Sequence, residues 1–576
     1  MALKLKLCPQ EEGVSHNLSE MSSSKVPVSK VEGVKGSDVY SSSGDALVDL
    51  SVRLVRGGWS AELAELFEKA LESSEEDAFV LAFQTRDIRG GKGERKLFGE
   101  MVEVLLKKRP DLMIGLLDLI PEYGCWRDLY TEHFHGYRPD VVDLVISQLK
   151  KDSAVAAADP EASISLCAKW APREGKNTQG AKAMAAQLFP EERLSERLKR
   201  YRHLVAGLNR RLDTTEIKMC GRIWAQIEPA AVPGVCLAKN MKAFLNQKKA
   251  GHGLRHPDEK DREACREHFQ EHMAKAAKGE AKVNGSVTRY PHQVIKDVLR
   301  CERNEGAERE ALIAVWNGMV ANAKALGGLG RTIAMCDFSG SMQSAGAAGD
   351  TPYWVSMAMG LLISEVSSDE FKDTFLTFDS SPTWHTLPAG DIFARTDSIG
   401  YGVSQGTSTD FQKAMDLVLA TLKAKRVRPG AEPKDLIVIT DMAWDAACGS
   451  NQTSFFTGHS YRHVVKTGGW QTHIQMIREA FRRAGEDMWG RVEDGGLGPW
   501  TPPRIVIWNV AATTADFHAT ADTEGVIMLS GWSPSLFKVL TEEGARVQTP
   551  AEALRIQLDD PRYAPIRERL AKLKEA

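Results

Sequence analysis

The sequence is short of the features that place a chain quickly. No run approaches the ~20 consecutive apolar residues needed to cross a bilayer, which excludes a spanning helix. Met1 to Leu7 alternates Lys with apolar residues and turns polar at Pro9, so the continuous apolar core of a secretory signal is missing. Cysteine is scarce and odd in number: nine residues, no C-x-x-C pair, and apolar or helical surroundings at Cys167, Cys220 and Cys336. That usage argues against a disulfide framework and for reduced thiols in the cytoplasm or a comparable compartment. Basic charge is not in excess: the formal net charge is -3, so any nucleic-acid contact must come from local clustering. The nucleotide-binding spacing G-x-x-x-x-G-K-S/T is absent as well.

What is present is enough apolar residue for folded cores: 43% hydrophobic and 26% charged over 576 residues, a length that exceeds one core and predicts at least two domains. Residues 1–44 are Ser-, Gly- and Lys-rich and read as a flexible leader. Residues 45–328 place apolar side chains at three- and four-residue spacing, as in Leu63, Leu66, Phe67 and Leu71, with breaks at Gly90-Gly91, Pro110, Pro121 and Pro190. The pattern predicts an α-helical, HEAT-like repeat module, with an exposed connection and solvated helix around 247–284. Past Gly327-Gly328 short strand-like runs appear at Thr332 to Cys336, Phe375 to Phe378, Leu436 to Thr440, Arg504 to Val510 and Gly525 to Leu529, most of them separated by helical segments. Residues 329–546 therefore predict a Rossmann-like α/β domain on a mostly parallel sheet, and 547–576 a helical tail. Ligands of such sheets sit beyond the carboxyl ends of the strands.

Just past the first of these strands stands Asp337-Phe338-Ser339-Gly340-Ser341. A carboxylate and two hydroxyls on one tight turn suit Mg²⁺, or another divalent cation, which wants hard oxygen ligands; a capped helix start would show the same residues. Two further loops bring oxygen to the same sheet end. Gly406 to Asp410 offers Thr409, with Thr407 as the neighbouring alternative, and Ile437 to Asp441 ends a buried strand in Asp441. Asp410 and Asp445 read as outer or surface groups. Asp337, Ser339, Ser341, Thr409 and Asp441 together resemble the metal-ion-dependent adhesion site of von Willebrand A domains. The resemblance implies a Mg²⁺ site with one coordination position left for an acidic residue of a partner protein. No second metal cluster and no nucleophile paired with a base accompanies it, which predicts recognition rather than hydrolysis and a chain that is not an enzyme.

The amino-terminal part carries two basic stretches. Arg86, Arg89, Lys92, Arg95 and Lys96 repeat cations among glycines and could face phosphates as a row, or could be solvated charges at a helix junction. Arg200, Arg202, Arg210 and Arg211, interleaved with Tyr201 and His203, suit single-stranded RNA, though a solvated cationic helix has the same composition. Arg86 to Phe98, Ile120 to Leu129, Ala168-Lys169-Trp170-Ala171-Pro172, Trp508-Asn509 and Leu529 to Pro534 resemble a plant, protist and viral family known only as a domain of unknown function. That family in turn resembles Ro-type proteins, whose TROVE module is a ring of helical repeats joined to a von Willebrand A domain. The resemblance implies binding of small noncoding or misfolded RNA, with the basic residues above and Lys169 as candidate contacts. The rival expectation is a protein-assembly or scaffold factor that engages an acidic residue of a partner, such as an ATPase, through the metal site without RNA. Cys265, His268 and His272 share a spacing that could ligate zinc but lack a fourth ligand, so a solvated helix is the expectation; His459 and His463 fall in a loop-like insertion. Trp126, Trp170, Trp224 and Trp316 are expected at helix interfaces.

Overall fold

The computed structural model describes residues 26–33, 38–130, 134, 138–249, 253–301, 306–343, 350–368, 371–378, 381–399, 411–444, 469–512, 516–540 and 549–575. Its helical part begins where the apolar spacing begins. Asp45 accepts from the Val48 amide at 2.9 Å and starts the helix Ala46–Arg53, and Ser60 accepts from the Leu63 amide at 3.2 Å at the head of Ala61–Ser73. The stripe Leu63, Leu66, Phe67 and Leu71 is buried. The following helix, Glu75–Arg86, is buried from Ala78 to Arg86 without a solvent face. A helix without a solvent face must be surrounded, and it is: by Ala61–Ser73, by Arg95–Lys108, and by Pro550–Leu558 and Ala564–Glu575 from far along the chain.

The described residues of the expected 547–576 tail, 549–575, are thus packed into the helical part. Arg567 donates to Asp77 at 2.8 Å, Arg562 donates to Asp87 at 2.8 Å, and Tyr563 is buried and stacked on Tyr123. The leader needs a similar correction over its described residues. Strands β1 (Lys30–Glu32) and β2 (Asp38–Tyr40) pair antiparallel, and Tyr40 exchanges backbone hydrogen bonds of 2.8 and 3.2 Å with Phe517. Nor is 247–284 merely a solvated connection. Helix Lys260–Ala277 buries Cys265, Phe269, Met273 and Ala276, one face at helical spacing, and packs against Ala307–Ala325.

The carboxy-terminal part is a six-stranded sheet of β3 (Thr332–Asp337), β4 (Thr374–Phe378), β5 (Trp384–Thr386), β6 (Asp435–Thr440), β7 (Arg504–Asn509) and β8 (Val526–Ser530) in the order β5-β4-β3-β6-β7-β8. All neighbours are parallel except the edge pair β4 and β5. β3, β6, β7 and β8 are buried along their whole length, as strands covered on both faces must be. One face presents Met335, Val438, Ile507 and Met528 to one apolar core, the other Cys336, Ile439, Trp508 and Leu529 to a second core that continues into the helical part through Trp316, Val294 and Phe269. Strand order runs outward in opposite directions from β3 and β6, so the crevice between their carboxyl ends is the switch point of the sheet. Among the described residues no helix is long and apolar enough to cross a membrane.

Candidate functional site

Asp337 ends β3 at this switch point and Asp441 follows the last residue of β6. Both carboxylates are buried, as are Ser339 and Thr440, whereas Gly340 is exposed and Ser341 half-buried, so the cluster opens to the surface along the turn. The Ser339 amide donates to Asp337 Oδ1 at 2.9 Å and the Thr440 hydroxyl to Asp337 Oδ2 at 2.9 Å, while Ser339 Oγ and Ser341 Oγ lie 3.1 Å apart. Burial, and then the neighbouring Asp441 carboxylate, push the Asp337 carboxyl up to about 7. Two buried carboxylates beside a pair of serine hydroxyls form a hard-oxygen donor set whose like charges a divalent cation would neutralise, so these residues fit Mg²⁺. Thr409, Thr407, Asp410 and Asp445 lie outside the described residues, as do His459 and His463.

Behind the carboxylates stands an aromatic stack. Trp444 lies between Phe411, with centroids 5.2 Å apart and planes at 6°, and His518, at 3.9 Å and 17°. Its indole N–H donates to Thr440 Oγ1 at 3.1 Å, and His518 Nε2 sits 2.8 Å from the Met442 carbonyl oxygen. Thr440, Trp444 and His518 were not candidates from the sequence. The Thr-Asp ending of a buried strand was a signal for Thr440, but nothing local points to His518, which arrives from beyond β7.

The ends of β7 and β8 are closed. Asn509, at the end of β7, donates from Nδ2 to the Val52 carbonyl at 3.0 Å, and the Ser530 hydroxyl, at the end of β8, donates to the Ser51 carbonyl at 2.6 Å. Lys92 enters the same junction fully buried. Its Nζ donates to Ser51 O at 2.5 Å, Leu54 O at 3.3 Å and Ser530 Oγ at 2.7 Å, and burial pushes the amine down to about 7. The cation row expected at 86–96 is therefore broken. Arg86 is buried against Asp128 at 2.7 Å and Lys92 holds the sheet to the helices, so neither meets a surface phosphate. The cause is the turn: Gly91 approaches the Gln84 carbonyl so closely that a Cβ would lie 1.9 Å from it, which folds Lys92 inward. Arg89 and Lys96 stay exposed, Arg89 donating to the Glu122 carbonyl at 3.3 Å, and Arg95 pairs with Asp128 at 2.6 Å.

The second basic stretch forms the helix Leu194–Leu212, which buries Tyr201, Val205, Leu208 and Asn209 and leaves Lys199, Arg200, Arg202, His203 and Arg210 exposed. Arg200 lies 4.2 Å over the Phe189 ring and pairs with Glu192; Arg202 pairs with Glu174 at 3.2 Å; Arg211 donates to the Ala162 carbonyl at 2.8 Å. A groove of about 830 Å³ runs along one flank past Lys150, Phe189, Lys199 and His203, and another of about 450 Å³ along the other past Arg173, Arg202 and Arg210. Lys169 lies apart, paired with Glu216 at 2.9 Å beside Trp170. Cys265, His268 and His272 do not converge: Cys265 faces the core, His268 is 3.9 Å from Glu228 and His272 Nε2 is 3.0 Å from the Lys282 carbonyl. Among the described residues no three His, Cys, Asp or Glu side chains form a metal-binding group. Trp316 does fill a helix interface, its Nε1 donating to Glu365 at 2.9 Å.

Comparison with known proteins gives the chain relatives along nearly its whole length. Residues 35–146 and 132–329 match the domain of unknown function DUF2828, and residues 331–563 match the domain of unknown function DUF7788. An uncharacterized protein of Acanthamoeba polyphaga mimivirus is 25% identical over 528 residues, which span 88% of this chain and 83% of that protein. The solved Ro (RSR) protein of Deinococcus radiodurans aligns with a TM-score of 0.38 and 13% identity, over 86% of this chain and 99% of that one. Because the DUF2828 match takes in just over half of the 576 residues, the protein belongs to that family.

Proposed function

We propose that this is a non-enzymatic, cytoplasmic RNA-binding protein whose α/β part is a von Willebrand A domain with a Mg²⁺-dependent site for a protein partner. The observation that carries the RNA reading is the helix Leu194–Leu212, a cationic ridge with a groove on each flank. Its exposed Arg–Glu pairs are each worth only ~0–1 kcal/mol, so the guanidinium groups can exchange a carboxylate for a phosphate at little cost. Phe189 and His203 beside them offer flat faces to unpaired bases, the combination that suits single-stranded or defective RNA.

In the α/β part, Asp337, Ser339, Ser341 and Asp441 would hold the ion, and Thr409 remains a further ligand candidate from the sequence alone. A bound Mg²⁺ supplies an open coordination position for an acidic side chain of the partner. The second reading, a protein-assembly factor without RNA, is favoured by the burial of Arg86 and Lys92, which removes two of the cations counted on for RNA.

The test is the nucleic-acid content of protein purified from its native cells at low salt, beside a Lys199→Glu/Arg202→Glu/Arg210→Glu variant. RNA on the wild type and none on the variant is the expected result. Clean protein in both cases, with a protein partner lost on Asp337→Ala, would replace the RNA reading with the assembly factor.

A further inference from the structure

The hydrogen bonds around Thr440 assign its hydroxyl proton. A hydroxyl has one proton to give and two lone pairs to accept with. Thr440 Oγ1 has three polar neighbours: the Met442 amide nitrogen at 3.1 Å, the Trp444 indole Nε1 at 3.1 Å and Asp337 Oδ2 at 2.9 Å. An amide N–H and an indole N–H can only donate, so they take both lone pairs, and the proton is left pointing at Asp337. With all three directions used, Thr440 has nothing left with which to ligate a cation.

We propose that Trp444 is the positioning residue of the metal site: by donating to Thr440 it forces the hydroxyl proton onto Asp337 Oδ2 and so fixes the orientation of that carboxylate. This rests on the Mg²⁺ reading of Asp337, Ser339, Ser341 and Asp441. The Ser339 amide holds Oδ1 at 2.9 Å, so the carboxylate plane is set by two donors, one on the turn after β3 and one at the end of β6. Trp444 is itself held rigidly, flanked face to face by Phe411 and His518 and met edge-on by Phe378, with centroids 5.6 Å apart and planes at 88°. The backbone supports the arrangement: Met442 adopts φ +64°, the turn that carries its amide back to Thr440, and its carbonyl meets His518. Without the indole donor, one lone pair of Thr440 is released and its hydroxyl can rotate off Asp337.

The test is Mn²⁺ binding to the full chain, followed by the electron paramagnetic resonance signal of free Mn²⁺ and by calorimetry, with Asp337→Ala as background. Trp444→Phe keeps the stacked ring and removes only the N–H donor; it is expected to weaken binding about tenfold, the effect typical of groups that orient metal ligands. Thr440→Val is expected to do the same, Thr440→Ser to retain wild-type affinity, and Trp444→Phe/Thr440→Val to be no weaker than Thr440→Val alone, because both changes cut one chain of contacts. Unchanged thermal stability of Trp444→Phe separates positioning from unfolding. If the wild type binds Mn²⁺ and Trp444→Phe binds equally well, or if the two losses add, the positioning role is overturned while the metal site stands. If the wild type binds no better than Asp337→Ala, the metal reading fails and the role falls with it.

Discussion

Lys92 permits a quantitative test of how the helices are joined to the sheet. Its amine sits at the carboxyl end of β8 with burial depressing it to about 7, against about 10.5 in an unfolded chain. Between those values the folded protein prefers the neutral amine, so unfolding takes up a proton, and stability must rise with pH across that window and be flat below about 7. The slope is about 1.4 kcal/mol per pH unit for one proton. Lys92→Met fills similar volume without titrating, and subtracting its stability from that of the wild type removes the other groups that titrate in alkali. From pH 7.5 to 9.5 the difference should shift by about 2–3 kcal/mol in favour of the wild type. Urea unfolding at several pH values, followed by tryptophan fluorescence, reads it directly. A difference constant to within about 0.5 kcal/mol would refute the reasoning: it would mean that three oxygen acceptors and the carboxyl end of helix Ala46–Arg53 keep the ammonium charged despite burial.

Three further outcomes are expected. Tyr563→Ala empties a buried ring site between Tyr123 and the helix Glu75–Arg86 and should cost about 3–5 kcal/mol in the same unfolding assay. Gly91→Ala drives a methyl group into the Gln84 carbonyl and should destabilise by about 1–3 kcal/mol or more, visible as a lowered melting temperature, with faster hydrogen exchange at the Lys92 and Glu94 amides. For RNA, removing the three cations Lys199, Arg202 and Arg210 should reduce the slope of log affinity against log salt by about two units for a single strand, at ~0.7 per phosphate contact, measured by fluorescence anisotropy with a poly-uridine probe.

The strands were legible almost to the residue. β3, β6, β7 and β8 are buried on both faces and so must be continuous apolar runs, which local reading detects. β5 was not legible: three residues at a sheet edge, Trp384 to Thr386, carry no pattern. Ser-rich composition hid the docking of Tyr40 on Phe517, and the charges of Lys260–Ala277 hid its buried face, because each is decided by a partner remote in sequence. The same holds at the site. Asp337, Ser339 and Ser341 lie within one turn and could be read together, whereas the ring of His518 meets Trp444 only because β6 and β7 are neighbours. Lys92 misled for a subtler reason: spacing of three counts as a surface row only on a regular helix, and the turn at Gly91 is not one.

The closing of the chain on itself also sets a schedule for its birth. Helix Glu75–Arg86 leaves the ribosome well before its cover, because Asp77 waits for Arg567, 490 residues later. At 5–20 residues per second that is roughly 25–100 s during which a helix buried in the finished fold has no cover on one side. A nascent chain of this protein must therefore borrow a chaperone for that face, or stay loosely ordered, until helices Pro550–Leu558 and Ala564–Glu575 arrive. A stop codon just before Pro550 would uncover a surface built by residues some 470 positions earlier, so a lesion late in the sequence would act on the fold of its early part.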